Sequence, residues 1–311
     1  MTAVDTAPAL GQPALDGAEE QPEDRRLWSV TTIIGVLDKP ALKWWAAEEA
    51  AKAAVSIAGT LPQRIAEDGE AEVIDWLRRA MNRRPKGRLS AAALGTCAHE
   101  ACESYALTGV RPTTDEIAAI VKREGGQRFA GVAAEAAVIE RMLDRFDGWL
   151  QRFTPAYDAT EVVVYHPTYG YAGQADAFLT IDGVRLLVDY KSSRDGFDRK
   201  GKPKSPYPEA ALQLAAYRWA ELAAVWRPRR VEQFRRRYYL LSDAERDRSV
   251  PVPETDGGAV IHLTPDHCEI FPVRCDEAVH EAFLYVQEAA RWHLEMSRDV
   301  IGLPMIPGGA S

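Results

Sequence analysis

At 311 residues the chain has room for one elaborated domain or two small ones, and 46% hydrophobic with 27% charged residues is ordinary for a folded globular protein. No run approaches the roughly 18 apolar residues of a membrane-spanning helix, and no basic segment followed by an apolar core opens the chain, so a cytoplasmic protein without membrane contact is expected. The net charge of −8 excludes a uniformly basic surface but not local basic patches.

Residues 1–26 are rich in Ala, Pro, Asp and Glu and read as a disordered tail. The segment Ser29-Val-Thr-Thr-Ile-Ile-Gly is β-branched, and helical composition follows over 40–58 and again over 67–81. Residues 27–93 therefore form an N-terminal, mainly helical region. A basic loop, 83–89, leads into a helix over 90–107 that ends at Gly109 and Pro112. Amphipathic helices are expected over 114–124 and 133–153.

The pattern then changes to strands, over 159–166, 171–181 and 184–192. Asp182-Gly183 between the last two is a strong hairpin signal. Val-Arg-Leu-Leu-Val is almost continuously apolar, as in a central strand covered on both faces. A polar loop, a helix over 208–226, a strand over 231–241 and a hairpin of 259–263 with 268–273 come next. A long helix over 276–298, capped by Asp276, closes a core of residues 94–300, and 301–311 form a loose tail. Cys97, Cys102, Cys268 and Cys275 contain no C-x-x-C pair and are expected as reduced, buried thiols.

Four features carry chemistry. Asp176 sits in an apolar strand, where aspartate is disfavoured and an unpaired carboxylate costs several kcal/mol. Asp189 and Lys191 end the next strand and, two apart, project to one face, with Tyr190 on the other. His99 lies in Gly95-Thr96-Cys97-Ala98-His99 on a helix of small residues. Gln213 and Tyr217, four apart, share a helical face. Each alone fits a salt bridge or a polar helix edge. Two carboxylates and a lysine on paired strands suit phosphodiester hydrolysis. Two basic runs, 78–88 and 227–237, fit solvated faces as well as binding surfaces.

In this order the features resemble the RecB-like branch of the PD-(D/E)xK nuclease superfamily, which includes CRISPR-associated exonucleases and many phage recombination nucleases. Its pattern runs Gly-Thr-x-x-His, Gly-x-x-Asp, acid-x-Lys and Gln-x-x-x-Tyr. Here these are Gly95 to His99, Gly173 to Asp176, Asp189-Tyr190-Lys191 and Gln213 to Tyr217. Glu161 matches a further acidic position of that branch, and the second acid is Asp rather than the commoner Glu.

The resemblance implies an α/β restriction-endonuclease-like core, a central mixed β-sheet flanked by helices. It implies a metal-dependent DNA nuclease, most often an exonuclease, in recombination, repair or phage DNA processing. Asp176, Asp189 and the Tyr190 backbone carbonyl would hold Mg²⁺ or Mn²⁺, with His99 completing the set. Lys191 would orient or deprotonate the attacking water. Gln213 and Tyr217 would position the phosphate or brace Lys191, and Glu161 would hold a second ion or a water.

Arg194, Lys200, Lys202 and Lys204, just past the catalytic strand, would meet DNA phosphates, and the basic runs would wall the channel. Trp44, Trp45 and Trp76 favour packing in the helical region over base stacking. A recombination or annealing protein is a further partner the resemblance suggests. Oligomeric state, cutting polarity and strand preference stay open.

The cysteine spacing does not match an iron–sulfur cluster. A phosphate-binding loop at 196–202 is ruled out by Pro203 and Pro206, where a helix must follow. The reading from a different class is a non-catalytic nucleic-acid-binding or scaffold protein on a nuclease fold.

Overall fold

The computed structural model describes residues 25–80, 87–197, 200–226, 228–233 and 236–302. The tail assigned to 1–24, Arg83, Arg84 and Lys86 of the first basic run, Arg199, Arg227, Arg235 and the end from residue 303 lie outside these residues. Among the described residues no helix is long and apolar enough to cross a membrane.

The chain runs β1 (Arg25–Ser29), α1 (Val30–Ile34), α2 (Pro40–Ser56), α3 (Leu61–Asp68), α4 (Glu70–Arg78), α5 (Ala91–Thr108), α6 (Thr114–Gly125) and α7 (Val132–Phe153). It continues through β2 (Ala156–His166), β3 (Tyr171–Ile181), β4 (Val184–Ser192), α8 (Glu209–Arg218), β5 (Leu222–Ala223), β6 (Arg229–Gln233) and β7 (Arg236–Leu241). Last come α9 (Asp243–Asp247), β8 (Val250–Pro251), β9 (Gly257–Leu263), β10 (Cys268–Val273) and α10 (Glu277–Arg291), with a π-helical turn at Trp292–Met296.

The sheet is mixed, in the order β10-β9-β4-β3-β1-β7-β6, with β2 on the other edge of β3. One apolar layer joins α5, α6 and α7 to the sheet through Leu179, Val188 and Ile261. The opposite layer joins α1, α8 and α10 through Ala175, Phe178, Leu187 and Val260. The result is the helix-flanked central sheet expected from the resemblance. Alternation along β4 puts Leu187, and so Asp189 and Lys191, on the α8 side.

Local signals set several ends. Ser90 caps α5 by accepting from the Ala93 N–H (3.0 Å), and Gly109 ends it at φ +67°. Thr113 and Glu116 form a capping box on α6, and Asp276 caps α10 by accepting from Val279.

Other boundaries differ from expectation. The helical region over 27–93 begins with a strand, and β1, starting at Arg25, is inserted between β3 and β7. The β-branched residues after it form α1, because Val30, Ile33 and Ile34 gain burial against α8 and α10 that outweighs weak strand propensity. The helix over 67–81 breaks at Gly69, whose φ of +88° and ψ of 152° only glycine adopts readily. The helix over 208–226 stops at Arg218. Trp219 Nε1 donates to the Cys275 carbonyl (3.1 Å), and Leu222–Ala223 pair with β2 instead. The strand over 231–241 is a hairpin of β6 and β7. The helix over 276–298 ends at Arg291 before the π-helical turn.

Candidate active site

The site opens where the sheet forks. One edge of β3 pairs with β2 throughout. The other pairs with β1 at Tyr171 and Ala172, and with β4 from Ala177 onward. Residues 173–176 have no strand partner on that edge, so the gap between β1 and β4 opens at Asp176. The face alternation of β3 also slips here, since both Ala175 and Phe178 point into the α8 layer. Across β2, Glu161 falls opposite Asp176 by register and adopts a left-handed φ of +52°. Such a conformation is costly for glutamate and typical of a functional constraint. Gly173 completes the fork, because a Cβ there would overlap the Tyr217 ring.

Within the fork, Asp176 Oδ2 accepts from the Tyr190 N–H at 2.7 Å. Lys191 Nζ lies 2.8 Å and 2.6 Å from the two oxygens of Asp189. Gln213, from α8, ties the pair together. Its Nε2 donates to Asp189 Oδ1 (2.8 Å) and its Oε1 accepts from Lys191 Nζ (3.2 Å). Tyr217, one turn on, is buried with its hydroxyl 3.2 Å from Gln213 Nε2. His99 on α5 places Nδ1 4.0 Å from Asp176 Oδ2, its ring edge-on to Tyr190. The Tyr190 side chain points away from the fork to Tyr157 (2.6 Å between hydroxyls), as alternation requires.

A recess of about 160 Å³ gathers His99, Asp176, Asp189, Lys191, Gln213 and Tyr217, together with Ser29, Thr31, Gln174, Arg230, Arg237 and Tyr239. Sequence reasoning missed Ser29, Thr31, Gln174 and Tyr239. Gln174 lies inside the Gly173-x-x-Asp176 motif at an unspecified position, whereas Ser29, Thr31 and Tyr239 have no spacing that links them to the motifs, since β1 and β7 reach the site only through the sheet. Arg230 and Arg237 belong to the second basic run, so that signal pointed at the site. Glu161 is not among the lining residues; its carboxylate accepts from Gln174 Nε2, which is.

The electrostatics favour a cation. Burial, then the nearby Asp189 carboxylate, push Asp176 up to about 8. Asp189 is 2% exposed, and its Oδ2 takes no well-aligned hydrogen bond despite the nearby ammonium. Burial holds the His99 imidazole below its ordinary value, so it is neutral at pH 7 with a lone pair to offer. Among the described residues no group of three or more His, Cys, Asp or Glu side chains is gathered closely enough to ligate an ion. The two carboxylates, buried hard oxygen donors of which Asp176 is kept from ionising by burial and by Asp189 beside it, nonetheless fit a divalent cation, with His99 and a backbone carbonyl as further donors.

The loop after β4 divides. Lys200 and Lys202 are exposed, and Lys204 pairs loosely with Asp195 at 3.7 Å. Arg194, expected at DNA phosphates, is ion-paired with the buried Glu135 of α7 and donates to the Leu89 carbonyl (3.3 Å). Arg194→Ala leaves that carboxylate buried and unpaired, so a loss of roughly 3 kcal/mol is expected in urea unfolding, without a selective loss of DNA affinity. Trp44 and Trp45 are 76% and 43% exposed, against the expectation of packing, whereas Trp76 lies under the Arg64 guanidinium (5.0 Å).

The model of the PD-(D/E)XK nuclease superfamily matches residues 72–300. No curated protein matches the chain significantly. Among solved structures, the crystal structure of SSO0001 is 14% identical over 69% of this chain and 80% of that one, with a TM-score of 0.27, too loose a likeness to carry an argument. The matched family segment covers well over half of the chain and holds both carboxylates, Lys191, Gln213 and Tyr217 in the order of the motifs: this chain belongs to the PD-(D/E)XK nuclease superfamily.

Proposed function

We propose that this metal-dependent nuclease acts on DNA as an exonuclease, in recombination, repair or phage DNA processing. The observation that supports a hydrolytic site most strongly is the Asp189–Lys191–Gln213 cluster beside a protonated Asp176. A structural salt bridge needs neither the second carboxylate nor a glutamine bridging both charges. The exonuclease assignment rests on the RecB-like order of the motifs.

In this reading Asp176, Asp189 and the Tyr190 carbonyl hold Mg²⁺ or Mn²⁺, with His99 alongside. The ion, when bound, supplies Lewis acidity at the phosphoryl oxygen and lowers the pKa of a bound water. Lys191, fixed by Asp189 and Gln213, orients the attacking water and steadies negative charge on the phosphoryl group. Gln213 keeps the ammonium aimed into the recess, and Tyr217 holds Gln213. Glu161 acts through Gln174. Arg230 and Arg237, from the opposite wall, meet phosphate oxygens, as do Lys200, Lys202 and Lys204 at the rim.

The experiment is digestion of end-labelled linear and closed circular DNA, single- and double-stranded, with Mg²⁺, Mn²⁺ or chelator. Metal-dependent release of short products from linear DNA, with circles left intact, is expected. Cutting of closed circles removes the exonuclease assignment. Binding without cleavage of any DNA under any metal favours the scaffold reading.

A further inference from the structure

Next to the catalytic recess lies a larger cavity of about 710 Å³, and Lys191, Gln213 and Thr31 line both. A ligand that fills it therefore reaches Lys191 and Gln213, which the reading above places at the reacting phosphate. Its walls are mixed. Tyr207, 69% exposed, stands at its rim with Pro206 beside it, and Lys39, Lys191 and Lys204 outweigh the single carboxylate of the lining, Glu209. An aromatic face, two cations and a catalytic lysine complement one nucleotide: a base to stack and a backbone to neutralise.

The size selects among nucleic acids. A sphere of that volume is about 11 Å across, narrower than the roughly 12 Å major groove of a duplex alone. It falls within the range of pockets that enclose small ligands. A base pair inside a duplex has both faces covered and cannot turn one to Tyr207 without leaving its stack.

Resting on the nuclease reading above, we propose that this cavity receives an unpaired nucleotide adjoining the scissile phosphate, its base stacked on Tyr207. The substrate class at the point of cutting is single-stranded DNA. Tyr207 sets KM through the base face, independently of base identity, while Lys191 serves the chemistry. A duplex is used only after its end has opened.

Two measurements on the full-length protein test this. In chelator, 2-aminopurine placed in a single-stranded oligonucleotide is expected to be quenched on binding. Tyr207→Ala abolishes the quenching, and Tyr207→Phe and Tyr207→Trp keep it. With Mn²⁺, Tyr207→Ala is expected to raise KM on single strands about 10- to 100-fold with kcat within a few-fold, again rescued by Phe. Blunt duplex is cut at least about 10-fold more slowly than single strand, by the same stacking difference. Cleavage that continues with unchanged KM and unchanged quenching in Tyr207→Ala overturns the proposal and leaves the nuclease reading standing. Tyr207-dependent quenching without cleavage of any DNA supports the pocket and overturns the nuclease reading.

Discussion

Lys191→Ala lowers the rate of DNA cleavage by about 10²- to 10³-fold and leaves DNA affinity within a few-fold, the size of effect seen when one preorganised charge-stabilising donor is removed. The ammonium is held by three contacts, two from Asp189 and one from Gln213, so its position is set before substrate arrives. Preorganisation of that kind acts on the transition state more than on binding. Affinity comes from many phosphate contacts, of which Lys191 supplies one. The substitution also strips the buried Asp189 of its counter-charge, leaving Gln213 Nε2 as a donor. Lys191→Arg is not a conservative rescue, since a planar fork cannot occupy the point between Asp189 and Gln213. Gel-shift titration in chelator and single-turnover digestion in Mn²⁺ measure the two quantities. Cleavage within threefold of the parent would sink the assigned role.

Asp176→Asn is expected to abolish cleavage and yet to stabilise the metal-free protein, with a gain that grows with pH. The folded carboxyl ionises at about 8, against roughly 3.9 in an unfolded chain. Between those values the folded state keeps a proton that the unfolded state has released. Stability of the parent therefore falls as pH rises through this window and levels off above pH 8. Asparagine carries no such proton and still accepts from the Tyr190 N–H. The difference between the two proteins should be small around pH 4 and reach roughly 5 kcal/mol, on the order of 10 degrees in Tm, by pH 8. Calorimetry in EDTA across pH 4–9 measures it. Equal gains at pH 5 and pH 8 would remove Asp176 as the strained group. Added Mn²⁺ should raise the Tm of the parent and not of the variant, because only the parent gains a ligand that binds the folded state.

Much of the site was legible from residue order. Apolar strands that end in a carboxylate and a lysine, and a Gln and Tyr one helical turn apart, are local patterns, and the structure brings Asp189, Lys191, Gln213 and Tyr217 within hydrogen-bonding reach of one another. Arg194 has a partner that local reading could not supply. Its place beside the catalytic strand suggested phosphate, but Glu135, far upstream on α7, claims it. The same holds for Trp44 and Trp45, whose hydrophobicity implied burial that no layer among the described residues provides.

The boundaries that departed from expectation share one cause. Val30–Ile34 are helical because two helices from the other end of the chain cover them, and Leu222–Ala223 are extended because β2 offers an edge. Neither partner lies within the local window that sets propensity. The sequence by itself determined the central strands β2, β3 and β4, the β9–β10 hairpin, the cap of α10 and the charged groups, since alternation, capping and hairpin chemistry act over a few residues. Only the tertiary structure decided that the sheet forks at Asp176, that Arg230, Arg237 and Thr31 face the carboxylates, and that a nucleotide-sized cavity adjoins Lys191. Those follow from contacts between residues distant along the chain, which burial of the two apolar layers enforces.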